Sequence, residues 1–369
     1  MRKLGAVIEE NGSTLIIDGI KDITKISDET INCNESGSTL RFFIPIFSLT
    51  GKKITFLGKN RLLKRPQKIY EDIFKEQKLH YYHDESKMEI EGKLKAGTYE
   101  IDGNISSQFI SGLLFTLPLL EEDSEIKIRP PFESASYIDL TLEMLKRFGI
   151  EIFQKDELTF KIRGNQKYSP CDYTIEGDFS QLGFFAVLGA VNNDLKCLGL
   201  NHDSKQGDKA VIEILRSSGV NIENIEGGYF IRKSTPKGCE IDLADCPDLG
   251  PILNVLGMYG DGDFRIYNAG RLRYKESDRI AAMEEELLKL GVSIKTTEDE
   301  IFISGKEIYD GGIEVSGHKD HRIVMSMAVA ATLMNKPVII DGAEAVEKSY
   351  PDFFEDIEKI GVKVECYDK

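Results

Sequence analysis

Five strings in this sequence place hydroxyl, amide or carboxylate side chains directly ahead of a long apolar run. They are Ser36-Gly37-Ser38-Thr39 before Leu40 to Leu49, Ser106-Ser107-Gln108 before Phe109 to Leu120, Asp178-Phe179-Ser180 before Leu182 to Val191, Pro247-Asp248 before Leu249 to Met258, and Asp320-His321-Arg322 before Ile323 to Met334. A short polar residue in such a place is an ordinary helix N-cap, accepting from N–H groups that have no partner inside the helix. Taken singly, each string needs no further explanation. Taken together they offer chemistry, because helix N-termini carry partial positive charge, and several opening on one cleft make an anion site.

Basic side chains gather at the same openings and in neighbouring loops: Arg41, Arg61, Arg65, Lys275, Arg279, Arg322 and Lys348. Arg65-Pro66 lies in a turn-like, strongly basic stretch, Lys59 to Lys68, which favours an anionic ligand with charge-assisted hydrogen bonds. In Lys275-Glu276-Ser277-Asp278-Arg279, helical spacing predicts that Lys275 and Arg279 share one face with Glu276 beside them. A salt-bridged, exposed helix start would use the same residues. His318 and His321 have no third ligand near them in sequence, so no metal is expected.

The elements that must position these groups belong to an ordinary globular protein. The chain has 369 residues, enough for two domains, with 41% hydrophobic and 30% charged residues. A net charge of −15 argues against nucleic-acid or anionic-membrane partners, both of which select basic surfaces. Six cysteines, Cys33, Cys171, Cys197, Cys239, Cys246 and Cys366, form no Cys-x-x-Cys pair and read as reduced thiols. The longest apolar stretch, Ile323 to Met334, has 12 residues, short of the roughly 20 that span a bilayer. Glu9-Glu10 follows the basic start before any apolar run develops, so a secretory signal is not expected and the chain reads as cytoplasmic.

A long internal repeat organises the rest. A helix-like end, a glycine, an apolar alternation, a turn and a second alternation recur. The copies are Leu4-Gly5-Ala6-Val7-Ile8 with Leu15-Ile16-Ile17, Phe148-Gly149-Ile150-Glu151-Ile152 with Leu158-Thr159-Phe160, Ser218-Gly219-Val220-Asn221-Ile222 with Tyr229-Phe230-Ile231, Leu290-Gly291-Val292-Ser293-Ile294 with Ile301-Phe302-Ile303, and Ile360-Gly361-Val362-Lys363-Val364. A degenerate copy has Lys78 in the glycine place. The markers 5, 78, 149, 219, 291 and 361 are spaced by 73, 71, 70, 72 and 70 residues. Each predicts a helix ended by glycine at its C-terminal cap, followed by a hairpin of half-buried strands. With the apolar helices above and strand-like runs such as Lys53-Ile54-Thr55-Phe56-Leu57 and Glu125-Ile126-Lys127-Ile128, the unit reads β-α-β-α-β-β. The expected fold is therefore α/β, with two domains, 1-171 and 172-369, of three units each. The first unit is truncated: the period calls for about 60 further residues before Met1.

Nine strings in order resemble the enolpyruvyl transferase family, in its shikimate branch, over essentially the whole chain. They are Glu35 to Arg41, Arg61 to Pro66, Asp102 to Phe109, Ser134 to Asp139, Glu176-Gly177-Asp178, Pro247-Asp248, Lys275 to Arg279, Asp320-His321-Arg322 and Lys348 to Asp352. The resemblance implies an inside-out α/β barrel of six such units in two domains that close over the substrates, no cofactor, and a monomer. It implies that Ser106, Ser107, Gln108, Ser134, Tyr137, Asp248 and Lys275 hold shikimate 3-phosphate, and that Gly37, Arg65, Gln108, Arg279, Arg322 and Lys348 hold phosphoenolpyruvate. The implied reaction joins the 5-hydroxyl of shikimate 3-phosphate to C2 of phosphoenolpyruvate while C3 takes a proton, and phosphate then leaves. Asp248 is the expected base, Glu276 the group exchanging the C3 proton and Lys275 the orienting cation. Glu35 stands where many members have Asn, as does Arg271, and the family's first unit holds a Gly-Ser-Lys-Ser segment that this sequence lacks. Two other readings stay open: a catalytically silent, substrate-binding module, and a transferase acting on UDP-N-acetylglucosamine. Against the latter, Lys59 to Lys68 contains no cysteine.

Overall fold

A computed structural model describes residues 1–26 and 28–367. The chain divides into two compact units, Met1–Asp172 and Tyr173–Lys369.

The first unit is built on α1 (Gly37–Ser48), α2 (Lys68–Glu76), α3 (Ser107–Thr116) and α4 (Ala135–Arg147). Leu40, Ile44 and Phe47 of α1 pack with Phe109, Ile110, Leu113 and Leu114 of α3 in a core from which water is excluded. Each such side chain contributes roughly 1.5–3 kcal/mol on burial. Two four-stranded sheets flank these helices. In one, the order is Thr30–Asn32, Ile54–Leu57, Lys87–Glu91, His80–His83; in the other, Thr98–Asp102, Ser124–Arg129, Thr159–Ile162, Ile152–Asp156. Both begin with a parallel pair and continue antiparallel, the pattern expected of a β-α-β crossover followed by a hairpin. A further hairpin, Val7–Asn11 with Thr14–Asp18, forms a two-stranded sheet.

The second unit repeats the plan around α5 (Phe179–Val191), α6 (Ala210–Ser217), α7 (Gly250–Met258), α8 (Arg279–Lys289), α9 (His321–Ala331) and α10 (Phe353–Lys359). Helices α5, α7 and α9 are apolar nearly all round and form the middle of its core. The sheets are Leu195–Leu198, Gly228–Ile231, Ile222–Ile225; then Glu240–Asp242, Asp263–Tyr267, Ile301–Ser304, Ser293–Thr296; then the parallel pair Glu314–Ser316 and Ile339–Asp341. The architecture is thus the expected α/β one, with the β-α-β-α-β-β unit complete over residues 30–91, 98–162 and 240–304; among the described residues the unit around α5 and α6 has no leading strand and the last has no closing hairpin. Its sheets are small and separate, and none of those described closes into a barrel.

The repeat markers share one backbone conformation. Gly5, Gly149, Gly219, Gly291 and Gly361 all have positive φ, between 78° and 105°, and Lys78, in the degenerate copy, has φ 59°. A left-handed residue at that place ends each helical segment, and a hairpin follows all of the markers except Gly361.

Three expectations fail. The hairpin of Val7–Asn11 and Thr14–Asp18 is exposed at nearly every residue rather than half-buried. No strand forms at Val362-Lys363-Val364, where the described backbone lacks regular structure; Gly361 still caps α10, but a lone extended segment gains no ladder bonds without a neighbour. Lys275 to Asp278 is not helical. The Asp278 side chain accepts from Ala281 N–H, so α8 starts at Arg279 and the preceding four residues form a loop. No helix among the described residues is long and apolar enough to cross a membrane.

Candidate active site

In the first unit, the N-terminal ends of α1 and α3 lie side by side. Ser36 Oγ accepts from Thr39 N–H at 3.1 Å and Ser106 Oγ from Gln108 N–H at 3.3 Å, so both helices open as capping predicts. Gly37, at the first turn of α1, has two side chains packed tightly against it. A Cβ there would lie 3.0 Å from Arg65 Nη1 and 3.3 Å from Gln108 Oε1. Gly37, Arg65, Ser106 and Gln108 are therefore neighbours, although 71 residues separate the first from the last. Ser107 is buried behind Ser106. Ser134 and Tyr137 open α4, which is joined to α3 by the Ser111 and Thr141 hydroxyls at 2.7 Å. Ser134 is buried with φ 57°, a conformation that costs a non-glycine residue about 1–2 kcal/mol.

Arg41 was visible in the sequence only as one basic residue among several. It is 4% exposed, and its guanidinium donates to Gln108 Oε1 at 2.9 Å, Ser106 Oγ at 3.3 Å and the Pro66 carbonyl at 3.1 Å.

In the second unit, four of the predicted residues meet at one carboxylate. Lys275 Nζ and Arg279 Nη1 each donate to Asp248 Oδ1 at 3.0 Å, and Arg322 reaches Asp248 Oδ2 at 3.3 Å and its carbonyl at 3.1 Å. Arg279 Nη2 also donates to Glu276 Oε2 at 2.8 Å. The far edge of Arg279 is clamped by Asp320, with Nε to Oδ2 at 2.9 Å and Nη2 to Oδ1 at 3.2 Å. Asp320 also caps α9 through Arg322 N–H at 3.0 Å and accepts from Ser277 at 3.0 Å. Lys348, more exposed, donates to the Lys319 carbonyl at 2.6 Å, just ahead of that cap.

These contacts separate the Asp at helix openings into two kinds. Asp178 and Asp320 cap their helices with their side chains. Asp248 does not: a 3-10 turn, Pro247–Leu249, leads into α7 with no side-chain cap, which leaves its carboxylate for the three cations.

The electrostatics follow from burial and partners. Burial pushes the Asp248 carboxyl up, but Arg322, Lys275 and Arg279 outweigh it and hold the group well below the usual carboxylate range. Burial lowers the Lys275 pKa, with the Asp248 charge opposing. His321 is pushed down to about 4, first by burial and then by the Arg322 charge, so its imidazole is neutral at pH 7. A further carboxylate, Asp208, is 2% exposed and accepts from the Ser180 hydroxyl; burial first, then the negative charge of Asp248, pushes it up to about 6. No sequence spacing links Asp208 to Asp248, since Ser180, Asp208 and Asp248 lie on three separate elements.

His318 and His321 do not pair. His318 Nε2 lies 2.7 Å from Glu286 Oε1, and the ligand atoms of Glu285, Glu286 and His318 fall within 4.8 Å of one another. The Lys289 ammonium sits on both Glu286 oxygens, at 2.9 and 3.0 Å, so the protein itself supplies the cation there.

The chain as a whole is similar to known proteins. The family model described as EPSP synthase (3-phosphoshikimate 1-carboxyvinyltransferase) matches residues 1–357. The 3-phosphoshikimate 1-carboxyvinyltransferase of Clostridium kluyveri is 43% identical over 367 residues, covering 99% of this chain and 86% of the relative. Its namesake from Clostridium perfringens is 46% identical over 364 residues, covering 98% and 86%. Among solved structures, an EPSP synthase from Acinetobacter baumannii superposes with a TM-score of 0.79 at 25% identity, covering 99% of this chain and 86% of that one. An enolpyruvyl transferase from Streptomyces tendae shares the fold, with a TM-score of 0.76 at 14% identity. With a family match over nearly its whole length and relatives above 40% identity, the chain belongs to the EPSP synthase family.

Proposed function

We propose that this chain transfers the enolpyruvyl group of phosphoenolpyruvate to the 5-hydroxyl of shikimate 3-phosphate in the shikimate pathway, with Asp248 as base and Glu276 as the group that exchanges the C3 proton. The observation that carries the assignment is the bridge through Arg279, which holds Asp248 at 3.0 Å and Glu276 at 2.8 Å from adjacent nitrogens of one planar group. The reaction needs a base and an acid, and here two carboxylates are fixed relative to each other.

In this reading, Ser106, Ser107, Gln108, Ser134, Tyr137, Asp248 and Lys275 hold shikimate 3-phosphate, and Gly37, Arg65, Gln108, Arg279, Arg322 and Lys348 hold phosphoenolpyruvate. Asp248 accepts the 5-hydroxyl proton as the oxygen bonds to C2, and Glu276 delivers a proton to C3. The resulting intermediate loses phosphate from C2, and Glu276 takes a proton back from C3 as the double bond reforms. The cations serve twice. An N–H that Arg279 turns from Asp248 or Glu276, or Arg322 from the Asp248 carboxylate, toward a ligand oxygen raises the proton affinity of the carboxylate it leaves. The substrates are small molecules, and we place the enzyme in the cytoplasm as a monomer.

A coupled phosphate-release assay with both substrates tests the activity, beside calorimetric titration of shikimate 3-phosphate. Phosphate release dependent on shikimate 3-phosphate supports the reading. Binding without release would make the chain a substrate-binding module, and release with UDP-N-acetylglucosamine as acceptor would move it to the sister reaction.

A further inference from the structure

Arg41 stands outside every role assigned above, yet it touches two of the residues proposed to bind substrate. Its guanidinium lies over the Phe109 ring, 4.6 Å from the centroid, and donates to Gln108 Oε1, Ser106 Oγ and the Pro66 carbonyl. An arginine has donors only and cannot accept. The Gln108 amide therefore has one permitted orientation: its oxygen faces Arg41, because the reverse would set N–H against N–H. The amide nitrogen, with its two donors, is directed away from Arg41.

Ser106 is constrained in the same sense. Its oxygen accepts from Gln108 N–H at 3.3 Å and from Arg41 Nη1 at 3.3 Å, which uses both acceptor positions of a hydroxyl. What Ser106 has left to give a ligand is its O–H. Ser106 is thus left as a donor, and Gln108, its oxygen held toward Arg41, presents the two N–H donors of its amide nitrogen on the side away from it. Arg65, the neighbour of Gly37 in the same corner, is a donor by nature.

We infer that Arg41 is a positioning residue that leaves Ser106 only its O–H to give and fixes the Gln108 amide with its nitrogen directed away as a donor, so that this corner selects fully ionised oxygens, those of a phosphate or carboxylate, over hydroxyl groups. The inference rests on the proposal that Ser106 and Gln108 contact substrate. Arg41 itself acts through them, and through the Pro66 carbonyl it also ties the Arg65 loop to α1.

Steady-state kinetics and calorimetric titration of shikimate 3-phosphate on Arg41→Lys, Gln108→Ala, Gln108→Glu and the double variant Arg41→Lys/Gln108→Ala test it, with thermal melts alongside. Gln108→Glu keeps an acceptor for Arg41 but removes the outward donors, and is expected to weaken anion binding at least tenfold with little change in melting temperature. Arg41→Lys keeps the charge but loses the planar fork whose two terminal nitrogens reach Gln108, Ser106 and Pro66, and is expected to raise KM about tenfold with a smaller effect on kcat. In the Gln108→Ala background the same change should cost clearly less than in the parent, about threefold, because one of the two side chains it orients is gone while Ser106 remains. Undiminished, multiplicative losses in the double variant would overturn the role of Arg41, as would full anion binding by Gln108→Glu. Failure of the underlying reading has a different signature: Gln108→Ala alone would leave both substrates' KM values within twofold of the parent.

Discussion

Asp248 and Glu276 are held by one guanidinium, with Arg279 Nη1 on the first at 3.0 Å and Nη2 on the second at 2.8 Å. Arg279 is 1% exposed, and Asp320, also fully buried, grips its other edge. Removing one partner of a buried charged network leaves the others uncompensated, at a cost of about 3–5 kcal/mol. Arg279→Met is therefore expected to lower the melting temperature by many degrees. Arg279→Lys keeps the charge but supplies one point of attachment in place of a planar fork. It should retain more stability than Arg279→Met and still lose kcat by at least about 100-fold, because the two carboxylates are no longer fixed together. Melting curves and steady-state rates on both variants check this.

A second prediction concerns pH. Asp208, facing Asp248, Arg322, Asp178 and the Ser180 hydroxyl, is raised from 3.8 to about 6, first by burial and then by Asp248. Between those values the folded state keeps a proton that the unfolded chain has released. Its contribution is therefore fully present below about pH 4, declines as pH rises and is gone above about 6; a shift of this size corresponds to about 3 kcal/mol. Asp208→Asn retains an acceptor for Ser180 and cannot ionise. It should raise the melting temperature at pH 8 and leave it nearly unchanged at pH 4. Asp248 and Asp320 have the opposite sign, since both are held below the usual range and stabilise above about pH 4. Their contributions fall away only in stronger acid.

The degenerate repeat marker supplies a third test. Lys78 is exposed and adopts φ 59°, where its five counterparts are glycine. Lys78→Gly relieves the left-handed strain and loses little packing, while the added freedom of the unfolded chain offsets part of the gain. A net stabilisation of about 0.5–1 kcal/mol, or about 2 °C in melting temperature, is expected. The same change at a right-handed helix position would destabilise.

Gly37 gives a fourth. A methyl group there would meet Arg65 Nη1 at 3.0 Å and Gln108 Oε1 at 3.3 Å, closer than comfortable contact. Both are ends of flexible side chains, so Gly37→Ala should fold normally while displacing them by a few tenths of an ångström. The expected result is a KM for phosphoenolpyruvate raised by about 10-fold or more, consistent with loss of one charge-assisted hydrogen bond, at unchanged melting temperature.

What could be read in the sequence was what local chemistry determines. Glycine markers fix left-handed caps, alternation fixes hairpins, and Ser36, Ser106, Asp178 and Asp320 cap the helices they precede. The strongest lesson comes from Asp248, which looks like another cap and is not one, because the 3-10 turn frees its carboxylate for Lys275, Arg279 and Arg322. Lys275 and Arg279 do meet the same acid, but through a loop rather than along a helix face. Asp208 and the orienting contacts of Arg41 were illegible for a single reason. Both depend on which elements pack together, and the spacing between their partners in sequence carries no local signal.

The most direct test of the account is the substitution Asp248→Asn, measured by phosphate release with both substrates and by calorimetric titration of shikimate 3-phosphate. Asparagine keeps the size and an oxygen for the surrounding cations but cannot serve as a base near neutral pH. Turnover is expected to fall by about 100- to 10,000-fold, with shikimate 3-phosphate affinity within about threefold of the parent. Turnover within tenfold of the parent would contradict it.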